Sequence, residues 1–351
     1  MPFHKFNPAA TANPLHISLF LKKAAPMPPS VISIGSHEDE MARWIRQRCD
    51  HYVEVPLDLP QARRLIAEQR LDVLIYTDIG MEPVTYSLAF SRLAPVQAAT
   101  WGHPVTTGIH TIDYFISSED LEGPELDQQY TERLVRLKHP AIYYYRPIPP
   151  SRLEERGKFG LPEAGTLYVC PQSLFKLHPE FDEILGGILR QDPRGTLVLL
   201  QGKHAHWETL LRQRFTDTMA DVQDRIRFLP QLDHKRFLNL NALADVLLDP
   251  IHFGGGNTSY EGLALGVPIV TMPSKMLRGR ITYALYRQMD VMDCVVNNSQ
   301  EYVERALQLG TDADYRAATR AKIIAANAVL FENGAGVRDL EIFLEKAVTQ
   351  K

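Results

Sequence analysis

"ADVLLDPIHFGGGNTSYEGLALGVPIVTM", residues 244–272, decides the fold class. "ADVLLDP" reads as a buried strand, "TSYEGLALG" as a helix and "PIVTM" as a second strand, with three glycines just beyond the first strand. A strand, helix and strand in this spacing form the repeating unit of a parallel sheet covered by helices. In a doubly wound sheet, ligands sit beyond the carboxyl ends of the strands. Gly254, Gly255 and Gly256 therefore lie where a phosphate would meet free N–H groups at a helix start. Asn257, Thr258 and Ser259 suit two jobs with the same atoms: capping the helix or donating to phosphate oxygens. The stretch matches neither GxGxxG nor a Walker sequence, so an ordinary glycine-permitted turn stands beside the ligand cradle as a reading. Glu261 either binds vicinal hydroxyls of a ribose or sugar, or complements the helix dipole. Gly262 and Gly266 keep the helix close to the strand that follows.

The same alternation runs outward in both directions. Upstream, "SVISIG", "HYVEVP", "DVLIYTD", "VQAATW" and "DYFISS" read as strands, with helices at "EDEMARWIRQRC", "LPQARRLIAEQRL" and "YSLAFSRL". After a change of composition in "RPIPPSRLEERGKFGLP", a second series begins with the strands "GTLYVC", "TLVLLQ" and "RIRFLP". The expected organisation is an irregular, proline-broken leader over 1–30, a short and partial Rossmann-like domain over 31–150 and a linker over 151–163. A complete Rossmann-like domain follows over 164–330, then a carboxyl-terminal helix over 331–351.

At 351 residues and 45% hydrophobic, the chain is long enough to bury two cores. A formal charge of -4 argues against a general binder of nucleic acid, while leaving room for a local basic groove. Cys49, Cys170 and Cys294 are far apart and odd in number, which is no disulfide framework, and no Cys/His spacing suggests a metal. The order of charges around "LHISLFLKK" is not that of a secretory signal, and no apolar run is long enough to span a bilayer. A cytoplasmic protein is the expectation.

Other strand ends add candidates. Lys176 in "PQSLFKLHP" is placed to neutralise a diphosphate leaving group, with Gln172 and Ser173 as neutral partners, unless it is an ordinary surface lysine. In "RFLPQLDHKRF", the backbone near Leu232 is placed to read a base edge and His234 to touch a ribose, or His234 simply faces solvent. Arg278 and Arg280 either approach the phosphates or sit on a solvated helix start. Asp78 and the His103 of "TWGHPVTTG" are candidates for proton transfer or acceptor orientation, or else supporting groups. His4, His16 and His37, nearer the amino terminus, are not safe substitutes for a catalytic histidine in that part of the chain.

Together "TWGHPVTTG", "PQSLFKLHP", "ALADVLLDP", "NTSYEGLALGVPIVTMP" and "LGTD" resemble the catalytic region of O-linked N-acetylglucosamine transferases and their bacterial relatives, the adhesin N-glucosyltransferases included. The resemblance implies a GT-B architecture of two facing Rossmann-like domains, here with the amino-terminal one truncated. It further implies an inverting, metal-independent transfer from a UDP-sugar to protein. On that template Lys176 looks like the lysine on the donor diphosphate, and Ser173 stands where the animal enzymes carry glutamine. Asn257 and Thr258 fall on a phosphate-binding threonine pair, with Gly256 in place of the preceding histidine. Glu261 is similar to the acidic residue that holds the ribose, and His234 matches a nearby lysine. Phe237 takes the place of a histidine that stacks by the uracil, and His103, Thr106 and Thr107 fall on a loop near acceptor and sugar. The implied partners are UDP-GlcNAc or UDP-glucose and a protein or peptide acceptor, with no metal and no membrane insertion. A donor-binding protein without turnover, or a GT-B enzyme acting on a small glycan, is the alternative.

Overall fold

The computed structural model describes residues 17–21, 29–123 and 125–350, without side chains for 17–21 and 29. It consists of two units, Met1–Tyr145 with Glu332–Lys351 and Arg146–Phe331. Among the described residues, no helix is long and apolar enough to cross a membrane.

The first unit holds strands β1 (Ile17–Leu21), β2 (Pro29–Ile34), β3 (His51–Val55), β4 (Val73–Tyr76), β5 (Val96–Thr100), β6 (Tyr114–Ser118) and β7 (Arg133–Leu137). They form a seven-stranded sheet in the order β3-β2-β1-β4-β5-β6-β7. β1 is antiparallel to both neighbours, and the other pairings are parallel. The expected irregular leader over 1–30 thus contributes a central strand, because its apolar "ISLFL" run pairs between β2 and β4. β7 is also absent from the sequence reading, since the Arg133 and Arg136 of "RLVRL" hide the pattern of an edge strand. All four residues of β4 are buried, as a central strand covered on both faces requires. Helices α1 (Glu40–Arg46) and α2 (Leu59–Glu68) start where Asp39 and Asp58 accept from the N–H groups of Ala42 and Gln61. α3 (Pro83–Ala89) is capped the same way by Glu82.

The second unit holds β8 (Leu167–Cys170), β9 (Thr196–Leu200), β10 (Ile226–Leu229), β11 (Val246–Leu248) and β12 (Ile269–Val270). The sheet is parallel throughout, in the order β10-β9-β8-β11-β12. Its helices are α4 (Glu180–Gln191), α5 (Ala205–Thr218), α6 (His234–Leu243), α7 (Asn257–Ala264), α8 (Ile281–Met289), α9 (Ser299–Thr311) and α10 (Ala313–Ala326). The strand order reverses direction between β8 and β11, so the loops leaving these two strands diverge and open a crevice at their carboxyl ends. Both loops carry candidate site residues.

Two boundaries differ from expectation. The segment 151–163 belongs to the second unit, where Phe159 and Leu161 are buried and Arg156 lies 3.2 Å from Asp245. Its prolines and charges resemble those of a free linker, but packing holds it. The last helix, α11 (Ala335–Thr349), returns to the first unit. Its Leu340, Leu344 and Ala347 pack with Val73, Ile75, Val96, Ala98, Ile116 and Leu137, closing one face of the sheet. Full burial of each large aliphatic side chain there contributes about 1.5–3 kcal/mol.

Candidate donor site

Beyond β8 the chain tightens into a 3₁₀ turn, Leu174–Lys176, which aims Lys176 back toward the crevice. Its Nζ donates to the carbonyl of Gly254 at 2.9 Å and to Oε1 of Gln172 at 3.1 Å, and lies 4.4 Å from the centroid of the Phe253 ring. Burial lowers the pKa of Lys176, opposed by the neighbouring Asp249 carboxylate. The loops after β8 and β11 are joined through this ammonium.

Asp249, at the end of β11, organises the glycine loop and was missed in the sequence. It is 3% exposed, accepts from the N–H of Gly255 at 2.6 Å and accepts from the hydroxyl of Thr271 at 2.8 Å. Burial raises its pKa and these hydrogen bonds oppose the rise. Its signal was an aspartate ending a wholly apolar strand. The glycines answer partly to these internal contacts. A Cβ on Gly254 would lie 2.8 Å from the Asp249 carboxylate. One on Gly255 would lie 2.6 Å from the Gln172 amide and 2.7 Å from the Thr258 hydroxyl. By contrast, a Cβ on Gly256 would meet nothing nearer than Ile281 at 4.0 Å.

Gly256 precedes α7, and no side chain caps that helix start. Asn257 is exposed there and does not cap. Thr258 accepts a hydrogen bond from the Gln172 amide, which leaves its own hydroxyl proton to donate. Ser259 is turned inward, 2.7 Å from Thr282. An uncapped helix start beside a lysine and a threonine hydroxyl is chemically suited to an anion. Arg278 supplies its backbone carbonyl to Gly254 N–H at 2.8 Å, and Arg280 lies against Tyr283.

A cavity of about 370 Å³ opens beside the crevice, lined by Gln172, Ser173, Phe175, Trp207, Leu232 and Phe237 among others. It therefore collects four of the sequence candidates. Phe175 and Trp207, with ring centroids 5.4 Å apart, were missed. Gly202 makes room for the Trp207 ring, since a Cβ there would lie 2.7 Å from it. Glu261 is 3% exposed, and its Oε1 lies 2.7 Å from Nε2 of His234, so these two candidates meet each other. The hydrogen bond to Glu261 raises the pKa of His234 against the opposing effect of burial.

Asp78 and His103 belong to the first unit, on the loops after β4 and β5. Those loops touch: Gly80 has φ +92°, and a Cβ on it would lie 2.5 Å from the His103 ring. Burial lowers the pKa of His103 and so favours the neutral imidazole. Thr106 and Thr107 both donate their hydroxyls to Glu132, which ties up groups expected to face a ligand. His37 bonds the Ile34 carbonyl at 2.9 Å, while His4 and His16 lie outside the described residues. One further cluster, His178, Glu180 and His252, has no counterpart in the sequence reading, because its members come from two distant loops.

The sequence profile of glycosyl transferase family 41 matches residues 150–339. A protein of Arabidopsis thaliana described as "Probable UDP-N-acetylglucosamine--peptide N-acetylglucosaminyltransferase SEC" is 26% identical over 315 residues, 86% of this chain and 32% of that protein. The UDP-glucose:protein N-beta-glucosyltransferase of Actinobacillus pleuropneumoniae is 26% identical over 295 residues, 81% of this chain and 46% of that protein. A mutant O-GlcNAc transferase of Thermobaculum terrenum superposes with a TM-score of 0.77 at 26% identity, over 91% of this chain and 62% of that one. The chain thus spans a third to a half of these two curated relatives, and its two sheet-and-helix units resemble the GT-B fold. With the profile extending over more than half of its residues, the chain belongs to glycosyl transferase family 41.

Proposed function

We propose that the chain is an inverting glycosyltransferase that moves GlcNAc or glucose from a UDP donor to a protein side chain. The observation that carries this reading is the convergence at one crevice of Lys176, the glycine loop and the uncapped start of α7. The activities for which the relatives are named, transfer of N-acetylglucosamine to peptide and of glucose to protein, supply the reaction class.

In this reading the diphosphate lies at the start of α7. The Lys176 ammonium exchanges its contact with the Gly254 carbonyl for a phosphate oxygen. Ser173, Leu232 and Phe237 face the base, and Glu261 takes the ribose hydroxyls with His234 holding its carboxylate in place. The acceptor attacks the anomeric carbon from the face opposite the diphosphate. As the sugar–oxygen bond breaks, negative charge grows on UDP, where an ammonium and helix N–H groups are worth most. Asp78 and His103 are the candidates to take the acceptor's proton in this reading, and burial favours the neutral imidazole of His103. A cytoplasmic setting suits the three free cysteines.

The test is incubation of the full chain with UDP-GlcNAc or UDP-glucose and a diverse peptide library, followed by mass spectrometry and NMR of the product's anomeric configuration. Sugar addition from one donor with inverted configuration is expected. Tight UDP binding without transfer from either donor would instead leave a donor-binding protein.

A further inference from the structure

His178 follows the turn that carries Lys176, Glu180 opens α4, and His252 precedes the glycine loop after β11. These residues, 72 positions apart in the case of Glu180 and His252, meet at the protein surface. One carboxylate oxygen, Oε2 of Glu180, lies 2.8 Å from Nε2 of His252 and 4.0 Å from Nδ1 of His178. The imidazole rings meet edge to face with centroids 4.6 Å apart, and the three donor atoms all lie within 4.8 Å of one another. We propose that His178, Glu180 and His252 form a site for a borderline divalent cation, Zn²⁺ foremost, that bridges the β8 and β11 loops.

The chemistry fits that ion. Two imidazoles and one carboxylate are donors for Zn²⁺ and its transition-metal neighbours, whereas Mg²⁺ and Ca²⁺ call for oxygen alone. Tetrahedral Zn²⁺ with bonds of about 2.0–2.1 Å separates its donors by roughly 3.4 Å. The observed 2.8 and 4.0 Å straddle that spacing, so small side-chain rotations reach it. The side chains are 48%, 65% and 43% exposed, which leaves room for water as the remaining ligand. In this structure His252 Nε2 is hydrogen-bonded to Glu180 Oε2, and His178 Nδ1 accepts the Glu180 N–H at 3.3 Å. Coordination replaces both contacts. Glu180 and Glu183 in the first turn of α4 offset the positive end of the helix, which would otherwise disfavour a cation there.

The metal site stands apart from the donor reading, but it clamps the two loops that Lys176 joins. The experiment titrates the metal-stripped full chain with Zn²⁺ against a chromogenic chelator. One tight equivalent is expected, weakened about tenfold or more by His178→Ala and by His252→Ala. A His204→Ala/His206→Ala variant controls for the neighbouring histidine pair and should bind as the parent does. Thermal unfolding without metal checks the fold of each variant. X-ray absorption of the 1:1 complex should show two imidazoles and no sulfur. Parent-like binding by both single variants, loss of binding in the His204/His206 control, or a sulfur shell would overturn the proposal. Zn²⁺ binding in a protein with no affinity for UDP would retain the metal site and reject the donor reading.

Discussion

At the residue scale, Lys176 already makes the contacts it would exchange for a phosphate, so removing it has two effects. Lys176→Ala is expected to weaken UDP binding about ten- to hundredfold, the range for a charged hydrogen bond, as read by calorimetry. It also leaves the buried Asp249 without its nearby cation, so the apo protein should lose stability. His234 and Glu261 make a pH prediction. The raised pKa of His234 means that its pairing stabilises the fold fully below the ordinary value of 6.5 and is lost as pH rises through the folded value. An NMR titration should place the His234 midpoint above 6.5, and Glu261→Gln should bring it down. Lys176, Gln172 and Glu261 were legible because each follows a strand end or helix start that the local pattern exposes. Trp207 and the meeting of Glu180 with His252 depend on partners far along the chain, which no local window displays, whereas Asp249 stood in plain view at a strand end and only its bonds to Gly255 and Thr271 give it a role.

At the element scale, the helix α7 and its loop depend on glycine for two separate reasons. Gly255→Ala would drive a methyl into Gln172 and Thr258, so donor binding should fall together with stability. Gly262→Ala would press against the Leu247 side chain, 2.6 Å from the added carbon, and force that buried group to repack. Overpacking of this kind costs about 1–3 kcal/mol, readable as a lower urea midpoint, and should leave the cradle's chemistry in place. The parallel strands and their helices could be read in advance because buried strands are continuous apolar runs between turn residues. β1 and β7 could not, one lying in a proline-broken stretch and the other carrying two arginines.

At the scale of the whole molecule, the second unit is one continuous piece of chain, whereas the first is closed by a helix from beyond it. A fragment of residues 146–331 is therefore expected to fold and to bind UDP as the full chain does, measured by calorimetry. Leu344→Ala should destabilise the first unit by about 2–5 kcal/mol and leave UDP affinity unchanged. The amphipathic spacing of α11 was legible, but the sheet that receives it lies some two hundred residues away, and periodicity carries no address. That return has a consequence in time. On the ribosome, Val73, Ile75, Val96 and Ala98 emerge long before Leu340 and Leu344. Synthesis of the intervening unit takes roughly ten to forty seconds at about 5–20 residues per second. Throughout that interval the nascent first sheet bares an apolar face, so the unit made first is the last to be finished and the one a chaperone would need to hold.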